Sequence, residues 1–325
     1  MEIIINTYGV SLNKENEGFV VTNVDGKQRI PTDGIRTIKI GKGAQITSDA
    51  IMLAIEKEIE VLFINKSGDV VGRVWSPKYG SISTIRKGQL AFATSKSSVE
   101  WIKDVITRKI ENQQAMLLMM ETDDKSLSDK VQSSIQRLEV YVDKISALYG
   151  DRVADIAKTL RGWEGMSSKM YFDTLNLFLK DEFRFERRTQ HPAMDLINAL
   201  LNYGYGILYG KIEGYLISAG IDPYIGILHR DEYNRPVLVY DIIELYRVWV
   251  DYVVYSLVIK NAITDEFYSV KSDGSYWLEA LGRRILIQSM NDYLDEVVLQ
   301  NGIERSRHQH MFLYIQSFAQ KLKNY

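Results

Sequence analysis

The residues best suited to chemistry are a histidine and two carboxylates in the segment LHRDEYNRPVLVYDIIELYR, residues 228 to 247. His229 is followed by a polar stretch ending at Pro236, so we expect a loop and then a new element. Asp241 and Glu244 are three residues apart and share one face if the segment is helical. Two carboxylates on an apolar turn repel each other, and a divalent cation between them would remove that cost. The alternative is an exposed helix edge on which both acids are hydrated.

The triplet His-Arg-Asp at His229 also begins the catalytic loop of protein kinases. In that loop an asparagine stands five residues after the aspartate, whereas here Asn234 follows Asp231 by only three. The sequence contains no Asp-Phe-Gly, no G-x-G-x-x-G and no Walker A motif. The triplet therefore does not indicate transfer of a phosphoryl group from ATP.

A third carboxylate stands in LRGWEGMSSKMYF, residues 160 to 172, where Gly162 and Gly165 bracket Glu164. Each glycine costs a helix about 1 kcal/mol, but glycines also allow a close approach or a kink that would direct Glu164 into a cleft. The alternative is a plain helix break, with one of the following serines capping the next helix. Glutamate, histidine and aspartate without sulfur suit Mg²⁺ or Mn²⁺. Such ions activate oxygen nucleophiles in phosphoester displacement.

The composition limits the class of protein. The chain has 325 residues, a net charge of −2 and no cysteine. The lack of cysteine excludes disulfides, thiolate zinc sites, iron–sulfur clusters and a cysteine nucleophile. The N-terminus has no secretory signal pattern and no apolar run is long enough to span a bilayer, so we expect a cytoplasmic protein without membrane contact. Any nucleic-acid binding must come from local basic residues.

The first 75 or so residues predict β-structure, because EIIIN, GFVVTNV, RTIKI and EVLFIN are rich in valine and isoleucine. Asp25-Gly26 predicts a hairpin turn, and NKSGD predicts a second one. Thr47 or Ser48 is expected to cap one helix, DAIMLAIEKEI.

From about residue 95 the apolar spacing becomes helical. The predicted helices after the first are 130–148, 152–180, 193–219, 241–262, 276–299 and 306–323, and the polar segment 122–129 is predicted to be a loop. Strands followed by helices, without alternation, predict an α+β fold. We expect a small N-terminal β-domain with one helix, residues 1–85, and a larger all-α domain, residues 86–325.

Three blocks of the sequence resemble the CRISPR-associated (Cas) protein one family, the spacer-acquisition integrase and endonuclease of CRISPR antiviral defence. They are LRGWEGMSSKMYF, DLINALLNYGYGILYGKIEGYLISAGIDPYIGILH and RPVLVYDIIELYR, in the family's order. The resemblance extends over essentially the whole chain. Two positions depart from the family's pattern: Val248 stands where a proline is common and Met166 where a small polar residue is common.

The resemblance implies a catalytic site. Glu164, His229 and Asp241 match the family's metal ligands for Mg²⁺ or Mn²⁺. Glu244 matches the second acid of the same helix and is assigned a catalytic role. A basic residue one turn later matches Arg247, which either contacts a phosphate or pairs with Glu244.

The resemblance also implies partners and a reaction. The family forms homodimers through its β-domains, and two dimers flank a dimer of the small Cas protein two. The assembly binds double-stranded prespacer DNA and CRISPR repeat DNA, and each 3′-hydroxyl attacks a repeat phosphodiester in a metal-dependent transesterification. The alternatives are a stand-alone structure-specific DNA nuclease with the same site and a non-catalytic DNA-binding subunit.

DNA binding is expected to use basic residues of the larger domain, with one tyrosine that either stacks on an unpaired base or belongs to the core. The candidates are Arg184, Arg187, Arg188, Lys211, Arg230, Arg235, Arg247, Arg283, Arg284 and Tyr203.

Overall fold

The fold is given by a computed structural model that describes residues 2–65, 68, 70–74, 81–120, 122–229 and 235–325. The chain divides into two compact units, residues 1–84 and 85–325. None of the described helices combines the length and the apolar character that a membrane span requires.

The described residues of the first unit form β1 (Glu2–Ile5), β2 (Ser11–Glu15), β3 (Gly18–Asn23), β4 (Gly26–Pro31), β5 (Thr37–Gly41), β6 (Gln45–Ile46), α1 (Ser48–Glu56), β7 (Glu60–Ile64) and β8 (Val70–Arg73). The strands make two four-stranded sheets, with the orders β1-β5-β7-β8 and β4-β3-β2-β6. Both sheets and α1 surround a shared apolar core. Ile3 and Ile5 are buried while Ile4 is exposed, the alternation that a strand with one covered face requires.

The local signals of the first unit are confirmed. Asn23 pairs with Gly26 across the β3–β4 hairpin, and β7 pairs with β8 in antiparallel fashion. Residues 66, 67 and 69 of the second turn lie outside the described residues. The Thr47 side chain accepts a hydrogen bond from the Ala50 amide at 3.3 Å and so caps α1.

The second unit is mostly helical and holds the larger apolar core. Its elements are α2 (Ser81–Ala93), which lies in this unit from Ile85 onwards, α3 (Lys96–Leu118), α4 (Lys125–Ser146), α5 (Val153–Leu175), α6 (Leu196–Ser218), α7 (Val237–Ile243), α8 (Arg247–Ile259), β9 (Tyr268–Val270), β10 (Tyr276–Leu278), α9 (Ala280–Asp295), β11 (Val297–Gln300), β12 (Ile303–Ser306) and α10 (Arg307–Lys323). The α+β fold class is therefore confirmed, although this unit is not purely helical.

Three predictions about the second unit were wrong in detail. The segment 122–129 is not all loop, because the Asp124 carboxylate accepts hydrogen bonds from two amides and starts α4 at Lys125. The predicted helix 241–262 is two helices, since α7 ends at Ile243 and α8 begins at Arg247.

The predicted helix 276–299 is correct only in its middle, because strands β10 and β11 occupy its two ends. β11 and β12 form a hairpin around Asn301 and Gly302. The φ angles of these two residues, 52° and 75°, both lie in the left-handed region. Asn-Gly is the dipeptide most typical of such a turn, so this signal was present in the sequence and was missed.

Candidate active site

Glu164 lies on α5, which continues without a break through Gly162 and Gly165. The predicted alternative of a helix break at these glycines is therefore wrong. Apart from the adjacent residues and the nearby backbone of α5 itself, a Cβ atom added at either glycine would meet no atom of the described residues within 4 Å. The glycines therefore leave the surface of α5 open beside Glu164 and are not needed for packing within the described chain.

Glu164 and Glu244 are bridged by a buried lysine on α3. The Lys109 ammonium pairs with Glu164 Oε1 and lies 2.5 Å from Glu244 Oε2, and its side chain is only 7% exposed. Ser168 donates a second hydrogen bond to Glu164 Oε1 at 3.0 Å. Two carboxylates that are 80 residues apart in the chain thus face the same cation.

Arg247 completes this charged group, because its Nε donates to Glu244 Oε1 at 2.9 Å. The i,i+3 pair that was the alternative to a phosphate contact is therefore present. Burial raises the pKa of Glu244, but Arg247 and Lys109 outweigh it and hold that pKa at about 2. Burial lowers the pKa of Lys109, but Glu244 and Glu164 outweigh it, so that pKa is raised. The formal charges of Lys109, Arg247, Glu164 and Glu244 add to zero.

Sequence reasoning missed Lys109, although a signal existed. Val105, Ile106 and Ile110 of α3 are buried, and Lys109 falls on the same helix face by its three- and four-residue spacing. A lysine on an apolar face must find a buried partner of opposite charge.

Asp241 and His229 form the second part of the site. Asp241 lies on α7 with no solvent exposure. Its Oδ2 accepts hydrogen bonds from the Ile227 amide at 2.6 Å and the Leu228 amide at 3.2 Å. Its Oδ1 accepts one from the His229 amide at 3.2 Å and is 2.8 Å from the His229 ring Nδ1. The carboxylate therefore fixes both the loop and the imidazole.

The close turn before His229 depends on Gly226. A Cβ atom added at this position would lie 2.2 Å from the His229 carbonyl oxygen, so any larger residue would displace the loop. Burial lowers the pKa of the His229 ring, but the hydrogen bond to Asp241 and the charges of Asp241 and Glu244 outweigh it, so the pKa is raised.

α5 connects the two parts of the site. Arg161, one turn before Glu164, donates a hydrogen bond from Nη2 to the Leu228 carbonyl at 2.5 Å. The Glu244 carboxylate acts on the pKa of both Lys109 and His229. Three carboxylates, one oriented imidazole and one lysine therefore lie in the same region of the second unit.

The donor types of this site fit a hard divalent cation, because they are carboxylate oxygens and an imidazole nitrogen without sulfur. As arranged, however, no three histidine, aspartate or glutamate side chains among the described residues converge closely enough to hold a metal ion. The Lys109 ammonium contacts both carboxylates instead. The side chains of this site are therefore of the types that bind a divalent cation, but binding requires the Lys109 ammonium to leave the two carboxylates.

The predicted DNA-binding residues fall into two groups. Four have their guanidinium groups bound within the chain: Arg184 to the Asn176 and Leu179 carbonyls, Arg188 to Asn198 and Asn202, Arg247 to Glu244, and Arg283 to the Leu278 carbonyl. Arg187, Arg235 and Arg284 are exposed, Lys211 is half-buried, and Tyr203 packs against the core. Arg230 lies outside the described residues. Because they are exposed, Arg187, Arg235 and Arg284 remain candidates for phosphate contacts.

A further buried carboxylate, Asp251 on α8, lies close to this site. It accepts hydrogen bonds from the hydroxyls of Tyr171, at 3.0 Å, and Tyr205. The Arg247 guanidinium stacks over the Tyr205 ring at 4.7 Å, which joins Asp251 to the charged group. Burial raises the pKa of Asp251 to about 6, although both hydroxyls lower it.

This raised pKa predicts how stability depends on pH. Because the pKa of Asp251 is higher in the folded state than in the unfolded state, protonation of this carboxyl stabilises the fold. The stabilisation is complete at pH values well below the unfolded pKa of about 3.9 and is lost as pH rises through the folded pKa of about 6. Relative to Asp251→Asn, the unsubstituted protein should therefore lose about 2 kcal/mol of unfolding free energy between pH 4 and 7. Urea denaturation across this pH range measures the difference, and Asp265→Asn, at an exposed position, is the control. A difference that stays constant with pH would contradict the prediction.

The chain is similar to known proteins in both its sequence and its fold. The sequence profile of the family described as "CRISPR associated protein Cas1" matches residues 3–292. The chain is 30% identical over 315 residues to "CRISPR-associated endonuclease Cas1 1" of Archaeoglobus fulgidus, covering 93% of this chain and 90% of that protein.

Two solved structures share the fold. A chain of a partial Cas6-RT-Cas1–Cas2 complex matches with a TM-score of 0.76 at 22% identity, covering 100% of this chain and 96% of that one. A casposase bound to its integration product matches with a TM-score of 0.71 at 20% identity, covering 99% of this chain and 95% of that one.

Proposed function

The chain belongs to the Cas1 family of CRISPR endonucleases and integrases, and from this premise we propose that it integrates prespacer DNA into a CRISPR array. In the proposed reaction, 3′-hydroxyl ends of the prespacer are joined to repeat phosphodiesters by transesterification that depends on a divalent metal. The observation that carries the proposal is the pair of carboxylates, Glu164 and Glu244, that face one buried cation beside an oriented histidine.

Glu164, His229 and Glu244 are the side chains that would hold Mg²⁺ or Mn²⁺. When bound, the ion supplies neutralisation of the scissile phosphate and activation of the attacking oxygen. Glu164 and Glu244 already share a cation. Contact with Asp241 through Nδ1 turns the His229 ring so that Nε2 is the nitrogen left for a ligand.

Asp241, the metal ligand that the family resemblance implies, acts differently in this proposal. Both of its oxygens already have two donors each, three of them backbone amides. A carboxylate that contacts the second ring nitrogen of a ligating histidine fixes the tautomer and orientation of the ring. Asp241 therefore positions His229, and Glu244 takes its place in the ligand set.

Arg247 and Ser168 support this arrangement from outside. Arg247 fixes one oxygen of Glu244 and stacks on Tyr205, while Ser168 fixes one oxygen of Glu164. Groups held in this way lose little freedom when the reacting phosphate binds, which is how a site stabilises developing charge.

The partners follow from the same premise. We propose a homodimer formed through the N-terminal unit, with two dimers around a dimer of Cas2, and with duplex prespacer and repeat DNA as substrates. The solved Cas6-RT-Cas1–Cas2 complex and the casposase with its integration product, whose chains share this fold, support Cas2 and DNA as partners. The exposed residues Arg187, Arg235 and Arg284 are proposed to contact phosphates, which would make DNA affinity strongly dependent on salt.

A strand-transfer assay tests the proposal. The protein, a Cas2 partner, labelled duplex and a supercoiled repeat array are combined with Mn²⁺ or with EDTA. We expect a joined product with Mn²⁺ and none with EDTA. Cleavage of branched or duplex DNA without joining, across several arrays, would favour the stand-alone nuclease instead. Joining at an undiminished rate in EDTA would exclude a divalent metal from the mechanism.

A further inference from the structure

Lys109 contacts both carboxylates of the proposed metal site. Its side chain is 7% exposed, and among the described residues its ammonium pairs with Glu164 and Glu244. A buried ammonium is costly unless it is paired, and so are two buried carboxylates that face each other. Lys109 and the two acids therefore stabilise one another in the arrangement observed.

A second lysine of α3 shows that burial alone does not explain this contact. Lys103 has a side chain that is 11% exposed, and its ammonium lies 3.4 Å from Glu100. The Glu100 side chain is 63% exposed and belongs to the same helix. Lys103 therefore extends its charge towards solvent, whereas Lys109 directs its charge between two acids from two other segments of the chain.

We propose that Lys109 is a tethered counter-ion of the metal site: it holds Glu164 and Glu244 together when no divalent cation is bound, and it competes with that cation. The proposal rests on the proposed function, because the competition requires that these carboxylates bind a metal. Lys109 is thus a positioning residue, which keeps the metal-free site folded and lowers the affinity of the site for metal.

The test compares Lys109→Met with Lys103→Met as the matched control on the same helix. Mn²⁺ is the probe, and its binding to the DNA-free protein is measured by electron paramagnetic resonance of the unbound ion. We expect Lys109→Met to bind Mn²⁺ at least about tenfold more tightly, a factor that corresponds to about 1.4 kcal/mol. Lys103→Met and the charge-conserving Lys109→Arg should bind within about threefold of the unsubstituted protein.

A thermal unfolding experiment provides the second readout. Without metal, Lys109→Met should unfold at a lower temperature, because the buried Glu244 and the half-buried Glu164 lose their cation. Mn²⁺ should raise that temperature more than it does in the unsubstituted protein. A lysine that only fills space would weaken metal binding or leave it unchanged when replaced. Unchanged or weaker Mn²⁺ affinity in folded Lys109→Met therefore overturns the inference.

Two further variants separate the possible failures. If Lys109→Met does not fold, the double variant with Glu164→Gln removes one of the two unpaired charges; its folding supports the inference, and its failure to fold overturns it. If Glu164→Gln weakens Mn²⁺ binding while Lys109→Met leaves it unchanged, the metal site stands and only the role of Lys109 is rejected. If the unsubstituted protein shows no saturable Mn²⁺ binding, both the proposed metal site and the role of Lys109 are rejected.

Discussion

Replacing His229 with alanine is expected to reduce the proposed metal-dependent strand joining at least about 100-fold while folding and DNA affinity are kept. The chemistry should fail because the imidazole is one of three proposed ligands, and each loss of about 1.4 kcal/mol in transition-state stabilisation costs tenfold in rate. The fold should persist because the His229 side chain is 35% exposed and its backbone amide still donates to Asp241. Joining rates, DNA affinity and the urea midpoint measure the three properties separately.

His308→Ala is the control for this variant. His308 has a side chain of nearly equal exposure, 34%, and also pairs with an aspartate, Asp295, at 3.1 Å. It belongs to the same unit but not to the site. Joining by His229→Ala within threefold of the unsubstituted rate would reject His229 as a ligand, and an equal loss in His308→Ala would show that the effect is not specific.

Asp241→Ala is expected to destabilise the second unit by about 3–5 kcal/mol, the largest loss of stability among the variants considered. The change removes the acceptor of three backbone amides, those of residues 227 to 229. The Asp241 side chain that accepts these hydrogen bonds has no solvent exposure. Each buried donor that loses its acceptor costs about 1–3 kcal/mol. Urea denaturation without added metal measures the loss.

Asp124→Ala is a useful comparison for this second variant. Asp124 also accepts two backbone hydrogen bonds, but it does so at the exposed start of α4, where the cost of losing a cap is about 1 kcal/mol. If Asp241 acted only as a metal ligand, its removal would weaken Mn²⁺ binding and leave the metal-free protein as stable as before. That result would reject the positioning role and restore Asp241 to the ligand set.

Local patterns carried most of the fold that could be predicted. The β-then-α order, the hairpin at Asp25-Gly26 and the cap at Thr47 depend on residues close together in the chain, and all were read correctly. The break between α7 and α8 has no glycine or proline at Glu244–Tyr246 to signal it. This break arises from tertiary packing, since Leu245 and Tyr246 are buried against the core of the second unit.

The candidate site likewise divides into features that the sequence reveals and features that only the fold reveals. The chemical types of Glu164, His229, Asp241 and Glu244 were visible in the sequence, but their contacts were not. An isolated pair of acids three residues apart is compatible with solvent exposure, and only the fold shows that both are buried. The partnership of Lys109 with Glu164 joins α3 to α5 across 55 positions of the chain, a distance that no local pattern can bridge.

The three amides that contact Asp241 also bear on how the proposed DNA substrate would approach this segment. Three successive backbone amides that point at one anion form a nest, an arrangement that commonly binds phosphate. Here the nest of residues 227 to 229 is already filled by a carboxylate of the chain itself. These amides are therefore not open to a phosphate of the proposed DNA substrate, and the His229 side chain is the group of this segment that is proposed to act there.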